Sequence, residues 1–420
     1  MVGASAAHWR DQGKEPPRVT PSDRPTRRLT MALGALTALG AASIDTYLPA
    51  LPAIDRELAI GAVTAQQTLS AFFLGLAAGQ LIYGPLSDRF GRRPVIAFGV
   101  VLFVVTSLIC AFANSMETLL LGRFFQALAA SAGAIVGRAV VRDLYRLDDA
   151  ARAQSFIQLV FLMTPLLAPT IGGYIALWFD WPAIFIALAG FGGLCVVALV
   201  TLLPETLPAP RRRPLNPAAV FTAYGAVLRH KRSMGCILTG GFAFACMFTY
   251  FAESALVFTR VYGVAEQDYG LLFALNVLGL MAANFLNGRV VGRFGAFAIL
   301  AVGAALVWLG AMVLLAVAWT GFGGLWGLVL PLMLVVGSLG LVGANAMAAA
   351  LEPFGDRAGL AASLQGFMQM TIGALAAFLV GQFHDGSALP MAVTIAVLAS
   401  LSLAARVFLV GHVPRDAQPS

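Results

Sequence analysis

Charge is scarce in this sequence. Asp, Glu, Lys and Arg make up 11% of its 420 residues, against 59% apolar residues and a mean hydropathy of +0.84, whereas a soluble domain carries roughly 25% charged residues. So few charges cannot cover a surface that faces water. Lysine is almost missing: Lys14 is followed by Glu15 and Lys231 by Arg232, so there is no Gly-Lys-Ser or Gly-Lys-Thr phosphate loop and no primary ATP-driven pump of that type. The four histidines, His8, His230, His384 and His412, form no His-Glu-x-x-His motif. The four cysteines, Cys110, Cys195, Cys236 and Cys246, lie within apolar runs, where they read as small buried hydrophobes. No metal, no cofactor and no enzymatic apparatus is expected. The net charge of +7 comes from basic residues scattered singly between apolar runs, which argues against a nucleic-acid partner.

What is abundant is long apolar sequence. Val95 to Ala113 and Ala298 to Trp319 carry no charge and approach the ~20 residues that cross ~30 Å of hydrocarbon. Twelve such spans are predicted, near 29–50, 64–86, 94–112, 116–140, 153–177 and 182–203, then 234–258, 268–291, 296–317, 325–351, 359–383 and 388–410. The resulting plan has a disordered tail (1–28), a first six-helix bundle (29–203), a basic linker (204–232) holding the Arg211, Arg212, Arg213 run, a second six-helix bundle (233–411) and a short tail (412–420). The expected fold class is an all-α membrane protein of two pseudo-symmetric six-helix bundles.

If the amino terminus is cytoplasmic, all but three of the 27 Lys and Arg residues fall on cytoplasmic segments or helix ends; the exceptions are Arg56, Arg260 and Arg123. The positive-inside rule then predicts both termini in the cytoplasm. The halves also repeat. Gly84, Asp88, Arg89 and Gly91 return as Gly288, Gly292, Arg293 and Gly295 at one constant offset. Two parallel repeats joined by a linker are the plan of a secondary transporter, with substrate between the halves near the midplane.

The loop Gly84-Pro-Leu-Ser-Asp88-Arg89-Phe-Gly91-Arg92-Arg93 resembles the G-x-x-x-D-R-x-G-R-R signature of the major facilitator superfamily. Asp45-Thr46-Tyr47-Leu48-Pro49-Ala50-Leu51-Pro52, the Gln80 to Pro85 segment and Arg142-Asp143-Leu144-Tyr145 narrow the likeness to the Bcr/CflA, or bicyclomycin-resistance, branch of drug:proton antiporters. In span five, Ala168-Pro169-Thr170-Ile171-Gly172-Gly173 resembles the family's antiporter signature, with Ala in place of its leading Gly. Pro169 removes a backbone hydrogen bond and Gly172 and Gly173 thin one helix face, which suits either a kinkable element or ordinary close packing.

Ionisable residues inside a membrane cost about 2.5 to 3.5 kcal/mol each on insertion scales, so each is a functional candidate. Asp45 and Arg123 fall in the outer halves of spans one and four. In the family resembled, the span-one acid and the span-four arginine are implicated in proton and substrate coupling. A static ion pair joining the two helices is the other reading. Glu253, near the external end of span seven, fits either an outer vestibule that attracts cations or a side chain that snorkels to the interface. Tyr47, Gln126, Gln158, Asn276, Asn345 and Gln365, with Asn284, are polar residues within spans, suited to bonding a ligand or a neighbouring helix.

The loop of Gly84, Asp88, Arg89, Gly91, Arg92 and Arg93 is expected to be conformational, with Asp88 capping the start of span eleven near Gly359 and the arginines tethering helix ends. With ATP excluded, an ion gradient is the energy source: a proton falling through ~150 mV supplies ~3.5 kcal/mol, roughly a 300-fold accumulation. The expected function is proton-coupled multidrug efflux across the bacterial inner membrane by rocker-switch alternating access. The expected partners are a small hydrophobic or cationic drug-like substrate, protons and the lipid bilayer, for a protein acting as a monomer. Export of an endogenous metabolite, such as an amino acid or short peptide, is the alternative.

Overall fold

The computed structural model describes residues 27–58, 62–145, 147–212, 217–265, 268–383 and 385–411. The expected terminal tails lie almost entirely outside these residues. Among those described there is no strand, and twelve helices are long and apolar enough to cross a membrane. They are span one (Arg27–Leu58), two (Gln66–Phe90), three (Arg92–Ala111), four (Met116–Leu144), five (Arg152–Phe179) and six (Pro182–Leu202), then seven (Lys231–Val261), eight (Tyr269–Phe294), nine (Ala296–Thr320), ten (Gly324–Gly355), eleven (Ala358–Gln382) and twelve (Leu389–Val410). Hydrophobic runs located all twelve. Helix ends run several residues past the apolar runs because interfacial polar residues extend them.

Packing within the halves follows one pattern. Span one packs on spans four, five and six, as span seven packs on ten, eleven and twelve. Spans two and three both pack on four, and three also on six; spans eight and nine repeat this on ten and twelve. The halves meet most extensively where span two packs on eleven and span five on eight, and span seven adds smaller contacts with spans one and two. The repeated glycines show the same symmetry at the backbone. Gly91 (φ 102°, ψ 160°) opens span three and Gly295 (φ 78°, ψ 156°) opens span nine. Both occupy positive-φ conformations that a Cβ disfavours, so glycine is required at the same turn in each half.

The segment between the bundles contains its own helix, Pro217–Arg229, which packs on spans seven and eleven and so sits against the second bundle. Its Ala223, Tyr224 and Val227 are buried, while Phe221 and Leu228 on the other face are exposed. We refer below to the end carrying the 84–93 loop and this helix as the basic end, and to the other as the opposite end.

Candidate functional site

Span one is interrupted where the sequence carries two prolines. Its first helix, Arg27–Asp45, stops at Asp45; a 3-10 turn at Leu48–Ala50 follows, and a second helix runs from Leu51 to Leu58. Pro49 and Pro52 have no amide hydrogen to extend the first helix. Asp45 therefore closes a helix inside the molecule and is 2% exposed. Its field reaches the hydroxyl of Tyr269 on span eight, across the two halves. That hydroxyl shares a 2.8 Å hydrogen bond with Ser254 on span seven.

Among the described residues Arg123 forms no ion pair with Asp45, so the static pair joining spans one and four is not formed in this structure. Its Nη1 donates to the main-chain oxygen of Ser43 (3.1 Å) and to Gln126 Oε1 (2.7 Å). The guanidinium carbon lies 4.4 Å from the Tyr47 ring centroid, 4.2 Å from Phe72 and 5.7 Å from Phe185. The cation is thus stabilised by aromatic faces and backbone dipoles from spans one, two, four and six. Among the described residues Nε and Nη2 have no hydrogen-bond partner. Tyr47 bonds Thr68 at 2.7 Å, and Gln126 Nε2 donates to Ser107 at 2.8 Å. Both were substrate-cavity candidates. Both are fully buried in the Arg123 cluster.

At the opposite end, polar contacts bridge the halves. Gln66 Nε2 on span two donates to Glu253 Oε1 on span seven at 2.7 Å, with both side chains fully buried. Asp55 on span one and Arg260 on span seven form an ion pair at 2.5 Å. Glu253 therefore neither snorkels nor lines an open vestibule here, since span two covers it. Nearby, Phe73 and Phe248 meet across the same interface with ring centroids 4.3 Å apart.

The span-five signature packs two ways. A Cβ added at Gly172 would collide with the Thr46 carbonyl oxygen and lie 2.7 Å from its carbon, at the break in span one. Thr170, two residues earlier, sits against Gly270 of span eight so closely that a Cβ there would lie 2.7 Å from the Thr170 nitrogen. Pro169 and Gly173 are buried. The thin face thus serves a contact with the Asp45 break and a contact between the halves.

The neutral polar candidates divide. Asn345 clamps span ten to span eight through Asn287 (2.6 Å), which makes it a packing residue. Asn284 is half-buried beside the close crossing of Gly340. Asn276 donates to the Tyr250 hydroxyl at 3.0 Å and to Leu272 O, leaving Oδ1 buried without a partner. Gln365 on span eleven is buried, with Oε1 likewise unpartnered, and Gln158 is exposed on span five. Sequence reasoning missed Tyr250, Ser254 and Tyr269, which join Asn276 in one hydrogen-bonded group on the second half, with Tyr269 within the field of Asp45. Their hydroxyls in an otherwise apolar stretch were the available signal.

The basic-end loop is a network within the first bundle. Arg92 is buried and donates to Asp88 (2.6 Å), Ser87 (2.6 Å) and Asp143 (3.1 Å). Glu205, just after span six, accepts from the backbone nitrogens of Arg92 (2.9 Å) and Arg93 (3.2 Å) and so caps span three. Arg93 also donates to Val200 O at 3.1 Å, and Arg89 lies over the Phe90 ring. Gly84 faces Ser363 of span eleven. Asp88 does not cap span eleven as expected: its side chain is 49% exposed and turned to Arg92. Arg92, four residues on across the turn at Gly91, holds the carboxylate instead.

These features, two parallel six-helix bundles with an acid buried in the seam, define a secondary transporter of the alternating-repeat type. Solved structures share the architecture. The xylose transporter XylE of E. coli aligns with a TM-score of 0.69 at 14% identity, over 94% of this chain and 99% of that one. A peptide transporter POT aligns with a TM-score of 0.73 at 15% identity, over 93% and 96%. The profile of the Major Facilitator Superfamily matches residues 31–381, and the chain belongs to that superfamily, as a multi-pass protein of the bacterial inner membrane. Among curated relatives, a "Bicyclomycin resistance protein homolog" of Haemophilus influenzae is 33% identical over 90% of this chain and 95% of its own length. "Multidrug resistance protein D" of Escherichia coli is 29% identical over 81% and 85%.

Proposed function

We propose that this chain is a proton-coupled multidrug efflux transporter that works by rocker-switch alternating access, with both termini and the basic end in the cytoplasm. The observation that carries the reading is the position of Asp45. It is a buried acid at a helix break, in the seam between the halves, with no ion pair among the described residues and within electrostatic reach of Tyr269. A carboxylate that no cation neutralises can exchange a proton as the seam changes from dry to wet. Relatives named for bicyclomycin and multidrug resistance support drug-like cargo.

In this reading the structure stands closed to the outside, held by Gln66–Glu253 and Asp55–Arg260. Asp45 takes a proton from outside in the outward-open state as drug leaves. The halves then rock, and proton release to the cytoplasm readies the cavity for new drug. Asp88, exposed here, would latch the second half when the cytoplasmic side closes.

The test is transport by the purified protein in proteoliposomes under an imposed pH gradient, using bicyclomycin and a panel of lipophilic cations. Drug accumulation that follows the gradient, with matching proton movement, is expected. No gradient-dependent movement of any compound would reject the reading.

A further inference from the structure

Two arginines at the basic end of the second bundle take no part in this cycle. Arg232 lies in the first turn of span seven and Arg406 in the last turn of span twelve. The guanidinium of Arg232 covers the ring of Phe297, at the start of span nine, with its carbon 4.3 Å from the centroid. Arg406 donates to the main-chain oxygens of Phe297 (3.2 Å) and Gly411 (2.7 Å). The field of the Arg232 guanidinium reaches Arg406. Each keeps a buried Nε with no hydrogen-bond partner, and among the described residues neither forms an ion pair. The carboxylate of Glu352, at the end of span ten, contributes to the field at Cys236 between them but bonds to neither.

Two like charges held together, one of them against the positive end of a helix, repel, and an anion between them relieves that repulsion. Beside them Val407 and Phe408 are exposed apolar surface, which places the pair at the depth where hydrocarbon gives way to headgroups. Lys231 and Arg229 add positive charge next to it on the exposed side. A phosphate diester supplies the missing acceptors: its oxygens suit the planar forks of two guanidiniums, while its acyl chains lie along the exposed apolar rim.

We propose that Arg232 and Arg406 form a binding site for the phosphate of an anionic phospholipid, which ties the basic ends of spans seven, nine and twelve together. Basic pockets between helix ends are suited to such headgroups. The site is remote from the Asp45 seam, so its failure would leave the proposed transport cycle untouched.

The experiment is native mass spectrometry and thermal melting of the full chain, delipidated in detergent and titrated with phosphatidylglycerol, phosphatidylcholine or inorganic phosphate. The wild type is expected to retain one phosphatidylglycerol in preference to phosphatidylcholine and to melt higher with it. Arg232→Gln should weaken that binding by about fivefold, the effect of one interfacial charge, and Arg232→Lys by less. Arg229→Gln, which removes a neighbouring exposed charge, should leave it within about twofold. The proposal is overturned if Arg232→Gln binds the lipid as the wild type does, if both Gln variants weaken it equally, or if inorganic phosphate stabilises the protein as well as the lipid.

Discussion

Arg123 of span four holds the main-chain carbonyl of Ser43 at 3.1 Å, two residues before Asp45 in span one. The cation nearest in the sequence logic to the buried acid is therefore spent on backbone and aromatic rings. It fixes the end of the helix on which Asp45 sits, and leaves the carboxylate to the seam between the halves.

Replacing Asp45 by Asn should abolish drug-driven proton movement while the protein still inserts and melts cooperatively. Asn keeps the size and hydrogen bonding of the acid but cannot exchange a proton. A pH-sensitive dye inside proteoliposomes reports the result, and coupling equal to wild type would remove Asp45 from the mechanism.

Arg123→Ala should destabilise the first bundle by about 2–4 kcal/mol, since it strips a charged hydrogen bond from Ser43, orphans Gln126 and removes three cation–π contacts. Arg123→Lys should recover only part of this, because an ammonium is a point charge and cannot lie flat between Tyr47 and Phe72. Thermal unfolding of the purified variants measures both.

Gly172→Ala should impair transport and lower stability by about 1–3 kcal/mol, because the added methyl meets the Thr46 backbone, which cannot swing aside as a side chain can. Gly270→Ala should behave alike against Thr170. Gly190→Ala, where the space is open, should be neutral. Equal behaviour of all three variants would show that the close contacts are unimportant.

Arg260→Ala should shift the protein toward the state open at the opposite end. The ion pair with Asp55 is part-exposed, so its worth is at most about 1 kcal/mol, roughly a fivefold change in the ratio of states. High salt should mimic the substitution. Glu253→Ala should shift it further, since it leaves Gln66 buried without its acceptor. Spin labels on the outer ends of spans one and seven would register the separation.

Asp88→Asn should stop transport without preventing insertion, if Asp88 joins the second half when the cytoplasmic side closes. Transport in vesicles at the wild-type rate would show that its contact with Arg92 is all it does.

Much of the fold was legible in advance because the bilayer is a severe solvent. A helix that crosses it must be apolar over a fixed length, so the twelve runs and their order could be read directly from the residues. The repeat from Gly91 to Gly295 was legible as well, since a positive-φ turn admits little but glycine. The span-five signature was visible as a thin helix face, though not which neighbours fill it.

The partners of the buried polar groups were not legible. Nothing in the sequence distinguishes an arginine that meets Asp45 from one that meets Tyr47, Phe72 and the Ser43 carbonyl, because these come from separate helices whose rotation only packing sets. For the same reason Glu253 could not be matched with Gln66, nor Glu205 with the start of span three. The sequence by itself determined twelve membrane-crossing helices, their repeat and the rare residues within them. The tertiary structure decided which of those residues face one another, since contact between distant helices depends on how whole side-chain surfaces fit together.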